Sequence, residues 1–158
     1  MKRLLTVSAL AVVLPAIAAD DPVPWPDGYR DWHHVKSMVI EEGHALYASF
    51  GGIHHLYAND AAMEGYRNGG EFPDGAVIVF DLLEAVSEDN AITEGARKVA
   101  GVMHKDSARY ADTGGWGFEA FAGGNPNERV VGDQAKQACF SCHAPQQAND
   151  YVFSTLRD

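Results

Sequence analysis

The chain has 158 residues, enough for one ordinary core and too few for two separate ones. Its 22 acidic and 12 basic side chains give a formal charge of -10. An acidic surface repels nucleic acid and anionic membranes, which excludes both as expected partners and leaves docking to a basic protein open.

The chain begins with the positive Met1-Lys2-Arg3, then an apolar run from Leu4 to Leu14, then Pro15 and the small-residue pattern Ala16-Ile17-Ala18. That order predicts a secretory signal peptide over residues 1–18, cleaved after Ala18 or Ala19, and hence export to the periplasm. A membrane span needs about 20 apolar residues, and this run falls short before Asp20 and Asp21. Loss of Lys2 and Arg3 leaves 10 basic against 22 acidic residues, a mature charge of -12. Residues 19–158 are read as a single domain.

Pro22, Pro24 and Pro26 around Trp25 predict an extended lead-in, because proline cannot continue a helix and donates no amide hydrogen bond. Arg30–Ile40 and His44–Tyr57 are rich in Val, Ile, Leu, Tyr and Phe with partial alternation, and both read as strands, the second bent at Gly51-Gly52. Asp60–Asn68 starts at a capping residue, Asn59 or Asp60, and closes at Gly69-Gly70, which predicts a short helix. Phe72-Pro73-Asp74-Gly75 is a turn. Ala76–Val86 reads as a buried strand. Glu94–His104 fits helix or strand, and we read it as strand. Ser107–Ala111 fits one helical turn, Trp116–Phe121 a strand with one buried face, Gly123–Asn127 a loop, and Asp133–Cys139 a helix. The expected fold is α+β and β-dominated: an antiparallel sheet with a few short helices.

Cys139-Phe140-Ser141-Cys142-His143 carries the chemistry. Two thiols flanking two residues, followed at once by histidine, form the attachment sequence of haem c. Cys139 and Cys142 would form thioethers to the porphyrin, and His143 would give the iron its proximal nitrogen ligand. A redox dithiol would follow a strand within a βαβ pattern, and a zinc site would need two further ligands at suitable spacing. Neither context is present. The second axial position decides function, since Met or His there makes a redox carrier and an open apolar face leaves iron free for a small ligand. Met38, Met63, Met103, His33, His34, His44, His54, His55 and His104 are the candidates, each more simply read as core filler or a surface polar group. The pairs His33-His34 and His54-His55 point their members to opposite sides of a strand, so at most one of each faces a pocket.

Tyr29-Arg30-Asp31-Trp32, Ile53–Tyr57, Gly70-Glu71-Phe72-Pro73-Asp74-Gly75-Ala76-Val77, Lys105-Asp106-Ser107, Trp116-Gly117-Phe118, the C-x-x-C-H run and Asp150-Tyr151-Val152-Phe153, in that order, resemble the cytochrome P460 family. The resemblance implies a β-rich, usually homodimeric fold with one five-coordinate haem c per chain. It also implies a division. Members with a lysine a few positions after F-P-D-G-A-V cross-link it to the porphyrin and oxidise hydroxylamine, whereas cytochromes c′-β lack it and bind nitric oxide or carbon monoxide beneath phenylalanines. Here the matching position is Phe80, and no lysine lies between Ile40 and Val86. The chain therefore resembles a cytochrome c′-β, with Phe80 and Phe50 as expected distal haem-pocket residues. Hydroxylamine oxidation or peroxidase-like turnover is the alternative, and six-coordinate electron transfer with a small redox partner protein the second.

Overall fold

A computed structural model describes residues 22–157, and the expected signal peptide lies outside the described residues. Five antiparallel strands follow one another across the sheet in chain order: β1 (His33–Ile40), β2 (Gly52–Ala58), β3 (Val77–Glu88), β4 (Ala91–Lys105) and β5 (Trp116–Ala122). The helices are short: α1 (Tyr47–Phe50), α2 (Asp60–Arg67) and α3 (Ser141–His143). The β-dominated α+β expectation holds. Among the described residues, no helix is long and apolar enough to cross a membrane.

Local chemistry explains the elements. Asn59 caps α2 by accepting from the Ala62 amide at 2.9 Å, and the same oxygen accepts from Val77 N while its amide donates to Gly75 O. One side chain thus ties the helix start to the Pro73–Ala76 turn, where Gly75 takes a φ of 87°. β3 and β4 are joined through Asp89 and Asn90, both at positive φ, the backbone a two-residue hairpin turn needs. Glu94–His104 lies wholly within β4, where pairing to β3 on one side and β5 on the other overrides the helical leaning of Ala96, Lys98 and Ala100.

Two expectations change. The stretch His44–Tyr57 is a strand only from Gly52 onward, with α1 before it, so Phe50 ends a helix. Gly52 sets that start: its φ is 133°, and a Cβ there would lie 2.1 Å from the Leu83 carbonyl oxygen. The strand expected over Arg30–Ile40 starts only at His33, because Tyr29–Asp31 forms a 3-10 helix, whereas the helical turn expected over Ser107–Ala111 is present, closed by Tyr110 N donating to Asp106 O, with a 3-10 helix at Ala111–Thr113 after it.

Side-chain alternation gives the sheet two unlike faces. One carries Val79, Asp81, Val102 and Phe121 and is buried under the Pro22–Trp32 lead-in, with Trp25 edge-on to Phe121 and Tyr29 edge-on to Tyr57. The other is covered for half its length: Ala58, Ile78, Trp116 and Phe118 pack with Met63 of α2, Phe72 and Val152 into the main core. Cys139 and Phe140 pack onto this same core, which places the C-x-x-C-H run on that face.

Candidate haem site

The C-x-x-C-H run lies in a continuous helical stretch of changing pitch: a 3-10 helix Gly132–Gln134, a π-helix Lys136–Phe140, α3, and a 3-10 helix Ala144–Asn149. The helix expected over Asp133–Cys139 is present but wider wound, and single π turns occur often at functional sites. Cys139 and Cys142 are separate free thiols, the first half-buried and the second exposed. Their three-residue spacing puts both on one side of the helix. Burial, followed by the nearby Glu119 charge, raises the Cys139 pKa. Glu119 also anchors the approach to this stretch, accepting from Val131 N at 3.0 Å and pairing with Arg129 at 3.2 Å.

The His143 ring lies 5.1 Å from Phe118 and 4.9 Å from Phe153, centre to centre. Its Nδ1 is 2.7 Å from the Tyr151 carbonyl oxygen, so Nδ1–H donates and the Nε2 lone pair stays free for a metal. Burial lowers its pKa, only partly opposed by that hydrogen bond, and the imidazole is neutral. The carbonyl is held in turn. Asp150 and Tyr151 both adopt left-handed φ values, 46° and 64°, a costly conformation for residues with a Cβ. Lys105 Nζ grips the Asp150 carboxylate at 2.7 and 2.8 Å, also donates to Gly114 O and stands 5.1 Å over the Trp116 ring. Trp116 Nε1 donates to Asp150 O, and Phe72 N to the Asp150 carboxylate. These bonds fix the turn and, through Tyr151 O, the orientation of His143.

Beyond the main core, the same sheet face continues as a row in register across the strands: Leu56, Phe80, Gly101 and Ala120. All four are half-buried, although Val79, Asp81, Ala100, Val102, Glu119 and Phe121 beside them on the opposite face are buried. Gly101 and Ala120 present almost no side chain, and a Cβ on Gly101 would make only ordinary contacts, the nearest 3.6 Å from Phe80. The row is therefore a shallow apolar hollow beside the C-x-x-C-H run. Phe80 stands in it with Phe50 edge-on at 5.7 Å, Phe50 remaining 40% exposed at the rim. A flat apolar group carrying a metal fits these parts: two thiols on one side of a helix, an oriented imidazole with a free nitrogen, and an apolar surface lacking side-chain bulk.

Most other axial candidates are engaged elsewhere. Met63 is in the core, Met103 packs against it, and Met38 is 48% exposed. His33 bonds to Asp60, His44 accepts from Leu46 N, and His34 and His55 share Ser37 on the far face, where His55 also bonds to Glu94. His104 lies edge-on to Tyr110. His54 alone among the histidines touches Phe80, at 4.5 Å between ring centres. As alternation requires, His54 and His55 face opposite ways. Arg109 pairs with Asp106 at 3.7 Å.

Sequence reasoning missed the Lys105–Asp150 clamp and the Gly101–Ala120 hollow. Both residues of the clamp stood in noted motifs, but nothing in a linear string joins positions 45 apart. Among curated proteins, none matches the chain. The profile of the family described as cytochrome P460 matches residues 26–154, most of the chain, and runs from the lead-in through all five strands to beyond the C-x-x-C-H run. That family makes haem the cofactor for which the parts are assembled, and the chain belongs to the cytochrome P460 family.

Proposed function

We propose that this chain is an exported, periplasmic mono-haem c-type cytochrome with five-coordinate iron that captures or buffers nitric oxide and also binds carbon monoxide. Cys139 and Cys142 form the two thioethers of one haem, and His143 Nε2 is the proximal ligand. When bound, the haem supplies an iron with one open coordination position, the chemistry that takes a diatomic gas.

The carrying observation is the Phe80–Phe50 pair at 5.7 Å, bordering the half-covered apolar row, with Phe80 at the position that the resemblance assigns to the lysine of cross-linking relatives. Lys36, at the β1 end of that row, donates to Thr155 instead. The phenyl rings of Phe80 and Phe50 themselves offer no hydrogen bond to water or dioxygen, a difference of about 1–3 kcal/mol per missing polar partner, and leave less polar gases comparatively undisturbed. Phe118 and Phe153 pack against the His143 ring and help keep the proximal imidazole in one orientation. A second copy would cover the apolar group Met38, Val39, Leu46, Tyr47, Val86 and Ile92, each more than 40% exposed, and a homodimer is part of this proposal.

The test is an optical spectrum of the ferrous protein with and without nitric oxide and carbon monoxide, with a mass measured under denaturing conditions. High-spin five-coordinate iron that binds both gases, with haem held by two thioethers, is expected. A low-spin six-coordinate iron that refuses carbon monoxide sinks the proposal in favour of electron transfer. A third covalent link with hydroxylamine turnover above free haem makes the chain an enzyme.

A further inference from the structure

The apolar cap has a polar group built into its underside. His54 lies on β2 opposite Leu82 of β3, on the same sheet face as Leu56 and Phe80. It is 6% exposed, and its ring stacks on Phe80 at 4.5 Å with an interplanar angle of 34°. Its Nδ1 is buried and has no hydrogen-bond partner among the described residues.

Such an atom is costly. A buried polar atom left unpaired loses its hydration with nothing in return, and native proteins keep few of them. Stacking on Phe80 does not explain it, because a phenylalanine would stack equally well and leave no orphaned nitrogen. Burial holds the imidazole pKa below its ordinary value, so the ring is neutral and carries one N–H donor and one lone pair. A neutral donor suits a ligand that gains partial negative charge on binding and does not repel an uncharged one. Its partner must lie on the Phe80 side of the sheet, since its neighbour His55 belongs to the opposite face with Ser37 and Glu94.

We propose that His54 is a specificity-determining residue of the distal face, hydrogen-bonding, directly or through one water, to the small ligand held beside Phe80. This rests on the reading of Phe80 as a distal residue. It refines that reading: the cap is apolar at its surface and polar one ring deeper, so it separates ligands by the charge they develop when bound. Nitric oxide, bent and polar when bound, gains from His54, and carbon monoxide gains little.

The test uses His54→Phe, which preserves the stack and removes only the nitrogens, with His54→Gln restoring a polar group and Phe80→Ala reporting on the distal assignment. Each holoprotein is examined for the N–O and C–O stretching frequencies of its ferrous adducts, for gas release rates and for thermal unfolding. His54→Phe is expected to release nitric oxide about tenfold faster, the loss of one hydrogen bond, to shift the N–O stretch, to leave carbon monoxide release nearly unchanged, and to unfold no earlier than the parent. His54→Gln is expected to recover part of the rate and the shift. If Phe80→Ala moves the spectra and rates while His54→Phe moves neither, His54 is stacking filler and the proposal is overturned. If Phe80→Ala also moves neither, the distal reading fails and takes the proposal with it.

Discussion

Replacing Lys105 by methionine keeps the side chain's apolar stem and removes its charge, leaving the Asp150 carboxylate without its cation. The Lys105 and Asp150 side chains are only 9% and 19% exposed, and the ammonium bonds both carboxylate oxygens. An exposed pair is worth under about 1 kcal/mol, whereas removing one partner of a buried pair costs about 3–5 kcal/mol because a charge is left unpaired. Asp150 keeps the Phe72 amide as a donor, which places the loss near the lower figure, about 3 kcal/mol. For a chain of this size that lowers the melting temperature by about 10 °C. The turn's left-handed Asp150 and Tyr151 then relax, and the Tyr151 carbonyl moves relative to His143 Nδ1. Thermal unfolding of the holoprotein by circular dichroism reads the first effect, and the iron–histidine stretch in the ferrous resonance Raman spectrum reads the second. Asp150→Asn should cost less, since asparagine tolerates left-handed backbone and still accepts from Phe72 N. The double variant should lose less than the two singles together. A loss below about 1 kcal/mol in Lys105→Met, with the stretch unmoved, would show that the pair behaves as a solvated one and that the clamp does not orient His143.

Three further outcomes follow from the same structure. Cys139→Ala and Cys142→Ala should each leave haem held by one thioether, and the double variant should release it on denaturation, read by mass. Asn59→Ala removes the α2 cap together with its bonds to Val77 and Gly75, and should cost about 1–2 kcal/mol in urea unfolding; a loss of only a few tenths would refute the shared role. Burial lowers the pKa of His54 and His104 from 6.5, so the unfolded chain takes up protons that the native one refuses. Their contribution to stability is fully present above 6.5 and is lost as pH falls through the lowered native values, so the urea midpoint should drop between about pH 7 and pH 5, and less so in His54→Phe.

How far the string of residues reaches is seen in three places. Cys139, Cys142 and His143 are adjacent in sequence, and the chemistry they share needs only that adjacency. Asn59, Gly69 and the Pro73–Gly75 turn act over a few residues, and the helix and turn they predict are present. The strands β3 and β5 were legible because β-branched or aromatic residues recur along them, whereas β4 is decided by its pairing with both. The stretch from His44 to Phe50 shares only the aromatics, Tyr47 and Phe50, and is no strand, because no neighbour pairs with it before Gly52.

The sequence by itself determined the C-x-x-C-H run, the β-rich class and a phenylalanine rather than a lysine at position 80, since each is a property of residue type or short spacing. Tertiary structure decided the rest. Only register brings Leu56, Phe80, Gly101 and Ala120 into one half-covered row, only packing buries His54 against Phe80, and only the turn at Asp150 and Tyr151 carries the Lys105 clamp to the imidazole of His143. Those contacts join residues 19 to 24 positions apart from strand to strand, 26 apart between His54 and Phe80 and 45 apart in the clamp, and a chain acquires them when burial of apolar faces fixes which strands lie side by side.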